Sequence, residues 1–231
     1  MTTQRTALAF RLATLLGIAL LFAALPAAAQ TSQIERSYRW EYGGRAWTLL
    51  HGYCEASYRF YRSLPRTNDY TAYGAYAADW RDNDDLCGLV GALERLAYSG
   101  GLNVWGKLNL VISFAQSIPY AAEEGEYPRY PLETLVEMRA DCEDAAILTA
   151  ALLREMGFGV VLLAFLEEHH MAVGVRVLPP EGTDHASYTW NGETYYYLEA
   201  TNVGWAIGER PAAYTSQPVI IDPQATVAAR Y

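Results

Sequence analysis

One cysteine stands among acidic residues at the predicted start of a long helix, in the segment RADCEDAAILTAALLREMGF, residues 139–158. Asp141 is a favourable N-cap residue and Asp144 follows three positions later, so the pattern places Cys142 in the first helical turn. The helix dipole and the free backbone N–H groups there favour the thiolate, the form in which cysteine is a nucleophile. The neighbouring carboxylates, including that of Glu143, oppose ionisation of the thiol. We therefore expect a catalytic Cys142 to need a cationic partner.

Histidine suits that role, because an imidazolium offsets the acidic surroundings and can pass protons. The sequence holds four histidines: His51, His169, His170 and His185. The first falls on the predicted first helix and the last in a polar loop, where surface positions are expected. His169 and His170 lie on a predicted strand, whose successive side chains point to opposite faces. His170 shares its face with the small residues Ala172 and Gly174, which would let a helix end approach, whereas the other face carries larger apolar residues. The pattern favours His170.

A third group should orient the imidazole, and Glu199 is the candidate. It lies in the apolar and aromatic strand TYYYLEAT, residues 194–201. A carboxylate in such a strand needs a partner, which His170 would supply, or an exposed face. The alternative is a half-exposed edge strand with Glu199 in water. Cysteine, histidine and carboxylate together would form a nucleophile, base and orienter set.

The elements that must position these residues follow from the periodicity of the chain. Residues 38–47 alternate aromatic and polar side chains around Gly43-Gly44, which predicts a β-hairpin. Helical spacing follows from Leu49 to Tyr61, from Asp84 to Leu96 and over 103–117. Apolar runs with strand character occupy 159–165, 170–177, 194–201 and 218–221, and loops are expected over 119–133 and 178–192. Helices first and strands second predict an α+β domain, with an antiparallel sheet packed on the central helix that carries Cys142.

The first 29 residues have the features of a secretory signal. Arg5 and Arg11 precede an apolar run that ends at Leu25, and an A-x-A site predicts cleavage after Ala29. We expect a periplasmic or secreted protein without a membrane anchor, in which 30–231 form a single domain. Its first part, 30–102, would hold the hairpin and N-terminal helices, and its second part, 103–231, the catalytic core.

The charge of the predicted mature chain excludes one class of partner. Removing Arg5 and Arg11 leaves 15 basic against 26 acidic residues, a formal charge of −11. Nucleic-acid-binding proteins present basic surfaces, so nucleic acid is not expected as a partner.

Three cysteines in an oxidising compartment leave one unpaired. Cys54 and Cys87 fall on separate predicted helices and could form a disulfide, which would leave Cys142 as a free thiol. The alternative is that all three stay reduced.

The segments DCEDAAILTAALLREMGF, HMAVGV and YYYLEAT resemble the transglutaminase-like superfamily, and more closely its bacterial branch of transglutaminase-like cysteine peptidases. The resemblance covers about residues 103–201 and implies a papain-like core. It implies that Cys142 is the nucleophile, His170 the base and acid, and Glu199 the orienting group. Three departures are Ala140, where the family usually has glycine, Met171 after His170, where true transglutaminases commonly have an aromatic-containing stretch, and Glu199, where aspartate is commoner.

The function so predicted is that of an exported cysteine-dependent amide hydrolase or acyltransferase that works through a thioester, on a protein or peptide substrate and without a cofactor. A metal site of Cys142, one histidine and Glu199 lacks any metal-ligand spacing. The other alternative is a non-catalytic domain of this fold that binds peptide or cell-wall material.

Overall fold

A computed structural model describes residues 32–123, 125–178 and 185–223. The predicted signal segment, 1–29, lies outside the described residues. Among the helices in the described ranges, none combines the length and the apolar character needed to cross a bilayer.

The described residues form six α-helices and seven β-strands, with 3₁₀ turns at Tyr70–Ala72 and Trp80–Asp82. The helices are α1 (Glu55–Ser63), α2 (Gly74–Ala77), α3 (Asn83–Ser99), α4 (Val104–Gln116), α5 (Pro131–Glu137) and α6 (Cys142–Glu155). The strands are β1 (Gln33–Tyr42), β2 (Arg45–Cys54), β3 (Gly159–Phe165), β4 (His170–Arg176), β5 (Ser187–Trp190), β6 (Glu193–Leu198) and β7 (Val219–Ile221).

The N-terminal strands β1 and β2 form the predicted hairpin around Gly43-Gly44. Both glycines adopt positive φ angles, 61° and 71°, which a two-residue hairpin turn requires. The hairpin is longer than predicted, and the helix expected from Leu49 begins only at Glu55. Pairing with β1 along the whole of β2 outweighs the helical spacing of 49–54. His51, predicted on a helix surface, is therefore a half-buried strand residue.

The other five strands form one antiparallel sheet in the order β5-β6-β4-β3-β7. Helix α6 packs against β3 and β4, and every residue from Asp144 to Leu153 on it is buried. The predicted α+β class is confirmed, with a central helix that carries the cysteine on an antiparallel sheet and additional N-terminal helices. This arrangement is consistent with a papain-like or transglutaminase-like core.

Two elements fall where the sequence predicted loops. Strand β5 pairs with β6 across Asn191-Gly192, whose φ angles of 51° and 81° are those of a tight hairpin turn. An Asn-Gly pair between alternating residues is a strong hairpin signal, and it was present in the sequence. Helix α5 starts at Pro131, a residue well suited to the first turn of a helix.

The predicted Cys54–Cys87 disulfide is wrong, because all three cysteines are free thiols. Cys54 ends strand β2 rather than lying on a helix, and its thiol bonds Ser57. The Cys87 thiol bonds Glu155 on α6 instead. The two sulfur atoms are thus directed to different neighbours.

Candidate active site

Cys142 is the first residue of α6, as the sequence predicts. The Asp141 side chain caps the helix by accepting a hydrogen bond from the Asp144 backbone N–H at 3.2 Å. The preceding residue, Ala140, pairs with the 119–121 segment through backbone hydrogen bonds of 2.8 and 3.1 Å. Ala140 does not have a positive φ. The entry to the helix therefore does not require the glycine that the resembling family usually has there.

The Cys142 thiol is partly buried and is bonded to acid rather than to histidine. Its Sγ lies 3.2 Å from Glu143 Oε2 and 3.9 Å from the His169 carbonyl oxygen. Burial, and then the Glu143 carboxylate, raise the pKa of Cys142 to about 12. Among the described residues, the thiol makes no hydrogen bond to an imidazole. In this state the sulfur is protonated at neutral pH, as the acidic neighbours lead one to expect.

His170 and Glu199 form a buried pair at the ends of β4 and β6. The imidazole Nε2 lies 3.0 Å from Glu199 Oε2. The Glu199 side chain is only 2% exposed, so the alternative of a water-exposed carboxylate on an edge strand is wrong. Four further hydrogen bonds reach this carboxylate: from Tyr197 Oη at 2.7 Å, from Thr201 Oγ1 at 2.8 Å, and from the backbone N–H groups of Ala200 and Thr201 at 3.0 and 3.1 Å.

The ionisation state of Glu199 determines which nitrogen of the His170 imidazole carries the hydrogen. Burial opposes ionisation of Glu199, but the hydrogen bonds from His170, Tyr197 and Thr201 lower its pKa to about 2. An ionised carboxylate only accepts, so Nε2 of His170 carries the hydrogen. Nδ1 of the neutral ring is then the nitrogen that can accept a proton.

The strand-parity prediction selected the histidine that meets Glu199, but its stated reason was wrong. Ala172, on the face shared with His170, belongs to an apolar cluster with Phe165 and Tyr197. Met171 and its alternating neighbours join α6 in the main core instead. The small residues therefore do not make room for the helix. His170 reaches Glu199 because both lie on the Tyr197 side of the sheet.

The thiol and the imidazole line one cavity of about 260 Å³. Cys142, His169 and His170 border it, and the rest of the lining includes the aromatic Tyr73 and the acidic Glu126. The predicted nucleophile and the predicted base thus line the same cavity, although the thiol is turned toward Glu143.

Arg129 anchors the start of α6, a role that the sequence pattern does not reveal. It is 1% exposed, and its guanidinium bonds Asp144 at 2.6 Å, Glu137 at 3.0 Å and also Glu123. The Arg129 backbone N–H donates to Asp144 as well, at 2.6 Å. Four hydrogen bonds from one buried residue hold three acids, so the loop before the helix is fixed relative to Cys142.

Tyr120 is a second side chain near the thiol that sequence reasoning missed. Burial raises its pKa, and the charges of Cys142, Asp141 and Glu143 raise it further. The backbone pairing of its segment with Ala140 places it there. Among the described residues, no group of three or more histidine, cysteine, aspartate or glutamate side chains is arranged to hold a metal ion.

Comparison with known proteins yields no matching family model and no matching curated protein. Two solved structures of LapG from Legionella pneumophila are similar to this chain. The EGTA-treated form is 19% identical, with 73% of this chain and 81% of that chain covered at a TM-score of 0.38. The other is 20% identical, with 71% and 79% covered at a TM-score of 0.37. Similarity of this degree says nothing about function, which must be inferred from the site itself.

Proposed function

We propose that this protein is an exported cysteine-dependent amide hydrolase or acyltransferase with Cys142 as nucleophile, His170 as base and acid, and Glu199 as orienting group. The observation that carries the proposal is the buried His170–Glu199 pair, joined at 3.0 Å beside the cavity that Cys142 also lines. A structural role does not require an ionised carboxylate with five hydrogen bonds to hold one imidazole. Export follows from the predicted signal over 1–29, and a peptide or protein substrate from the amide chemistry.

The reaction begins when the thiol turns from Glu143 toward the imidazole. The Sγ–H proton passes to Nδ1 of His170 while Sγ bonds to the carbonyl carbon of the substrate amide. The negative charge that develops on the carbonyl oxygen is met by the backbone N–H of Cys142, because the first amides of a helix have no acceptor within the helix. Glu199 stabilises the imidazolium and keeps its orientation.

Collapse of this intermediate breaks the carbon–nitrogen bond, and the leaving amine takes the proton from Nδ1. A thioester on Cys142 remains. In hydrolysis, water attacks the thioester carbonyl, gives one proton to His170 and releases a carboxylic acid, and Sγ recovers that proton. In acyl transfer, an amine takes the place of water and a new amide is released. Both routes use the same three side chains.

The acidic surroundings make substrate binding part of the activation. The thiol is protonated in the resting protein because its pKa is about 12. A bound peptide that excludes water and separates the thiol from Glu143 leaves Nδ1 of His170 as the proton acceptor. In the proposed mechanism the thiol therefore reacts by proton transfer to His170 rather than as a free thiolate.

The test uses p-nitrophenyl acetate, an acyl donor that needs no knowledge of the natural substrate. The full-length protein carrying Cys54→Ser, which removes a thiol whose pKa is lowered by a hydrogen bond from Ser57, should release p-nitrophenolate in a burst followed by turnover. Mass spectrometry should find the acetyl group on Cys142. Cys142→Ala and His170→Ala should lose both phases, whereas Cys87→Ala, which removes an exposed thiol, should keep them. Acetylation elsewhere, or unchanged turnover in Cys142→Ala, would overturn the proposal.

One observation favours a second candidate, a non-catalytic peptide-binding domain. The Cys142 thiol is bonded to Glu143 and its pKa is far above neutral, as expected of an inert cysteine. In that case Cys142→Ala would leave the affinity for bound peptides unchanged. No p-nitrophenolate burst would be seen with the native protein.

A further inference from the structure

We propose that Tyr214 is a positioning residue for His170, and that Glu168 holds Tyr214 in place. The inference rests on the proposed function, since it explains how the imidazole of that site keeps its orientation. Neither residue belongs to the three side chains described above.

The Tyr214 ring lies against the imidazole. The two ring centroids are 4.6 Å apart and their planes are tilted by 34°. Tyr214 also contacts Phe165 at 6.1 Å with a tilt of 33°. Aromatic rings at these distances attract one another beyond the area they bury. The half-buried tyrosine therefore covers one face of the histidine ring.

The loop that carries Tyr214 is tied to the turn that carries His170. The Glu168 carboxylate accepts hydrogen bonds from the backbone N–H groups of Thr215 and Ser216, both at 2.9 Å, and from the Ser216 hydroxyl. The hydrogen bonds from Ser216 lower the pKa of Glu168, so the contact is made by the ionised form. Within the loop, Tyr214 N–H donates to the Pro211 carbonyl at 3.0 Å.

The hydrogen bonds of Glu168 to Thr215 and Ser216 join the turn before His170 to the loop that carries Tyr214. Glu168 precedes His170 by two residues, and the intervening His169 has a positive φ of 50°, so the chain turns sharply between them. One side of that turn is held to the loop by Glu168, and the other side presents the imidazole to the loop's tyrosine. The turn and the loop therefore fix each other.

The contacts of Tyr214 and Glu168 restrict rotation of the His170 imidazole, which would disable the proposed base. Rotation of the imidazole about its χ2 bond breaks the bond from Nε2 to Glu199 and changes the direction of Nδ1, the proton acceptor of the proposed mechanism. Glu199 opposes that rotation at the ring edge and Tyr214 opposes it at the ring face. A misplacement of about 1 Å at a reacting group costs on the order of a hundredfold in rate, so a loss of this support is measurable.

The first experiment measures kcat, KM and the pH–rate profile of the full-length protein with p-nitrophenyl acetate. Tyr214→Ala should lower kcat by about tenfold to a hundredfold, with a smaller change in KM. Tyr214→Phe keeps the ring and should stay within about twofold of the native kcat, and Glu168→Ala should reproduce part of the loss. The matched control is Tyr188→Ala, because Tyr188 contacts Phe165 from the same apolar cluster at 6.1 Å. It should leave kcat and the pH–rate profile unchanged.

The second experiment does not depend on turnover. In NMR spectra of the protein labelled at histidine, the ring signals of His170 should move downfield and broaden in Tyr214→Ala, because a stacked aromatic ring is removed and the imidazole gains freedom. They should stay sharp in Tyr188→Ala. Unchanged His170 signals in Tyr214→Ala would overturn the proposal, and so would an equal loss of kcat in both alanine variants. A native protein without p-nitrophenolate turnover would overturn the proposed function alone, and the NMR result would still decide the role of Tyr214.

Discussion

Removal of one negative charge beside the thiol should make Cys142 more reactive. The perturbation is Glu143→Gln, which keeps the size of the side chain and abolishes the carboxylate 3.2 Å from Sγ. The native pKa of about 12 leaves on the order of one thiol in ten thousand ionised at pH 8. Burial persists in the variant, but both contributions of Glu143 to the raised pKa disappear, so the pKa must fall and the thiolate fraction must rise.

The magnitude follows from the distance between the two charges. At 3.2 Å their repulsion is about 1 kcal/mol in water and about 5 kcal/mol at the dielectric constant typical of protein sites. These limits correspond to a fall in the Cys142 pKa of about one to about four. A thiolate becomes a weaker nucleophile as its pKa falls, so roughly half of this gain appears in the rate of thiol–disulfide exchange. We therefore expect an acceleration between about threefold and about a hundredfold.

The assay follows exchange with 4,4′-dithiodipyridine, an uncharged disulfide, at pH 8. All variants carry Cys54→Ser and Cys87→Ser, because a hydrogen bond from Ser57 lowers the pKa of the Cys54 thiol and that cysteine would react first. Glu126→Gln is the matched control, since it makes the same change of charge in the same cavity without touching the thiol. If Glu143→Gln reacts no faster than Glu126→Gln, the electrostatic account of Cys142 is refuted.

Three further predictions concern the orienting carboxylate, the anchor of the helix and the sheet. Glu199→Gln should lower p-nitrophenyl acetate turnover on the order of 10²- to 10⁴-fold, because an amide does not fix the protonated nitrogen of the imidazole. The pKa of Glu199 is about 2 in the folded protein against 4.5 unfolded, so its ionised form stabilises the fold fully above the unfolded pKa. In urea titrations, the native protein should lose about 2 kcal/mol of its free energy of unfolding from this source between pH 6 and pH 3, and the variant should not. Arg129→Met should lower the free energy of unfolding in urea by about 3 to 5 kcal/mol, because it leaves the buried carboxylate of Asp144 without a cation. Arg139→Met removes a half-exposed partner of Glu123 and Glu137, which Arg129 also bonds, and should lower it by about 0 to 1 kcal/mol. Equal losses would contradict the role of the buried arginine. Gly174→Ala should lower the free energy of unfolding by about 1 to 3 kcal/mol, because an added Cβ would lie 2.7 Å from Val161 Cγ2. Adding Val161→Ala to this variant should restore part of the loss. A melting curve of Gly174→Ala equal to that of the native protein would contradict the close packing of the two strands.

The helix start and its cap could be predicted because the groups involved are neighbours in the chain. Asp141 caps α6 through a residue three positions away, so a short window of sequence contains the whole interaction. Glu199 could be selected because an acid within an apolar strand needs a partner. The strand from Leu49 to Cys54 was mistaken for a helix, since the pairing with β1 that decides it lies outside any local window.

The properties of the Cys142 thiol were likewise determined partly by the sequence and partly by the tertiary structure. The sequence by itself determined that Cys142 begins a buried helix among acids, and that an adjacent pair of histidines and one strand carboxylate were available to it. Only the tertiary structure decided that the thiol bonds Glu143, that Arg129 holds the helix start, and that Tyr214 covers the imidazole. The physical reason is that capping and alternation act over a few residues, whereas the environment of a buried charge is made by side chains far apart in the chain and adjacent only after the sheet has formed.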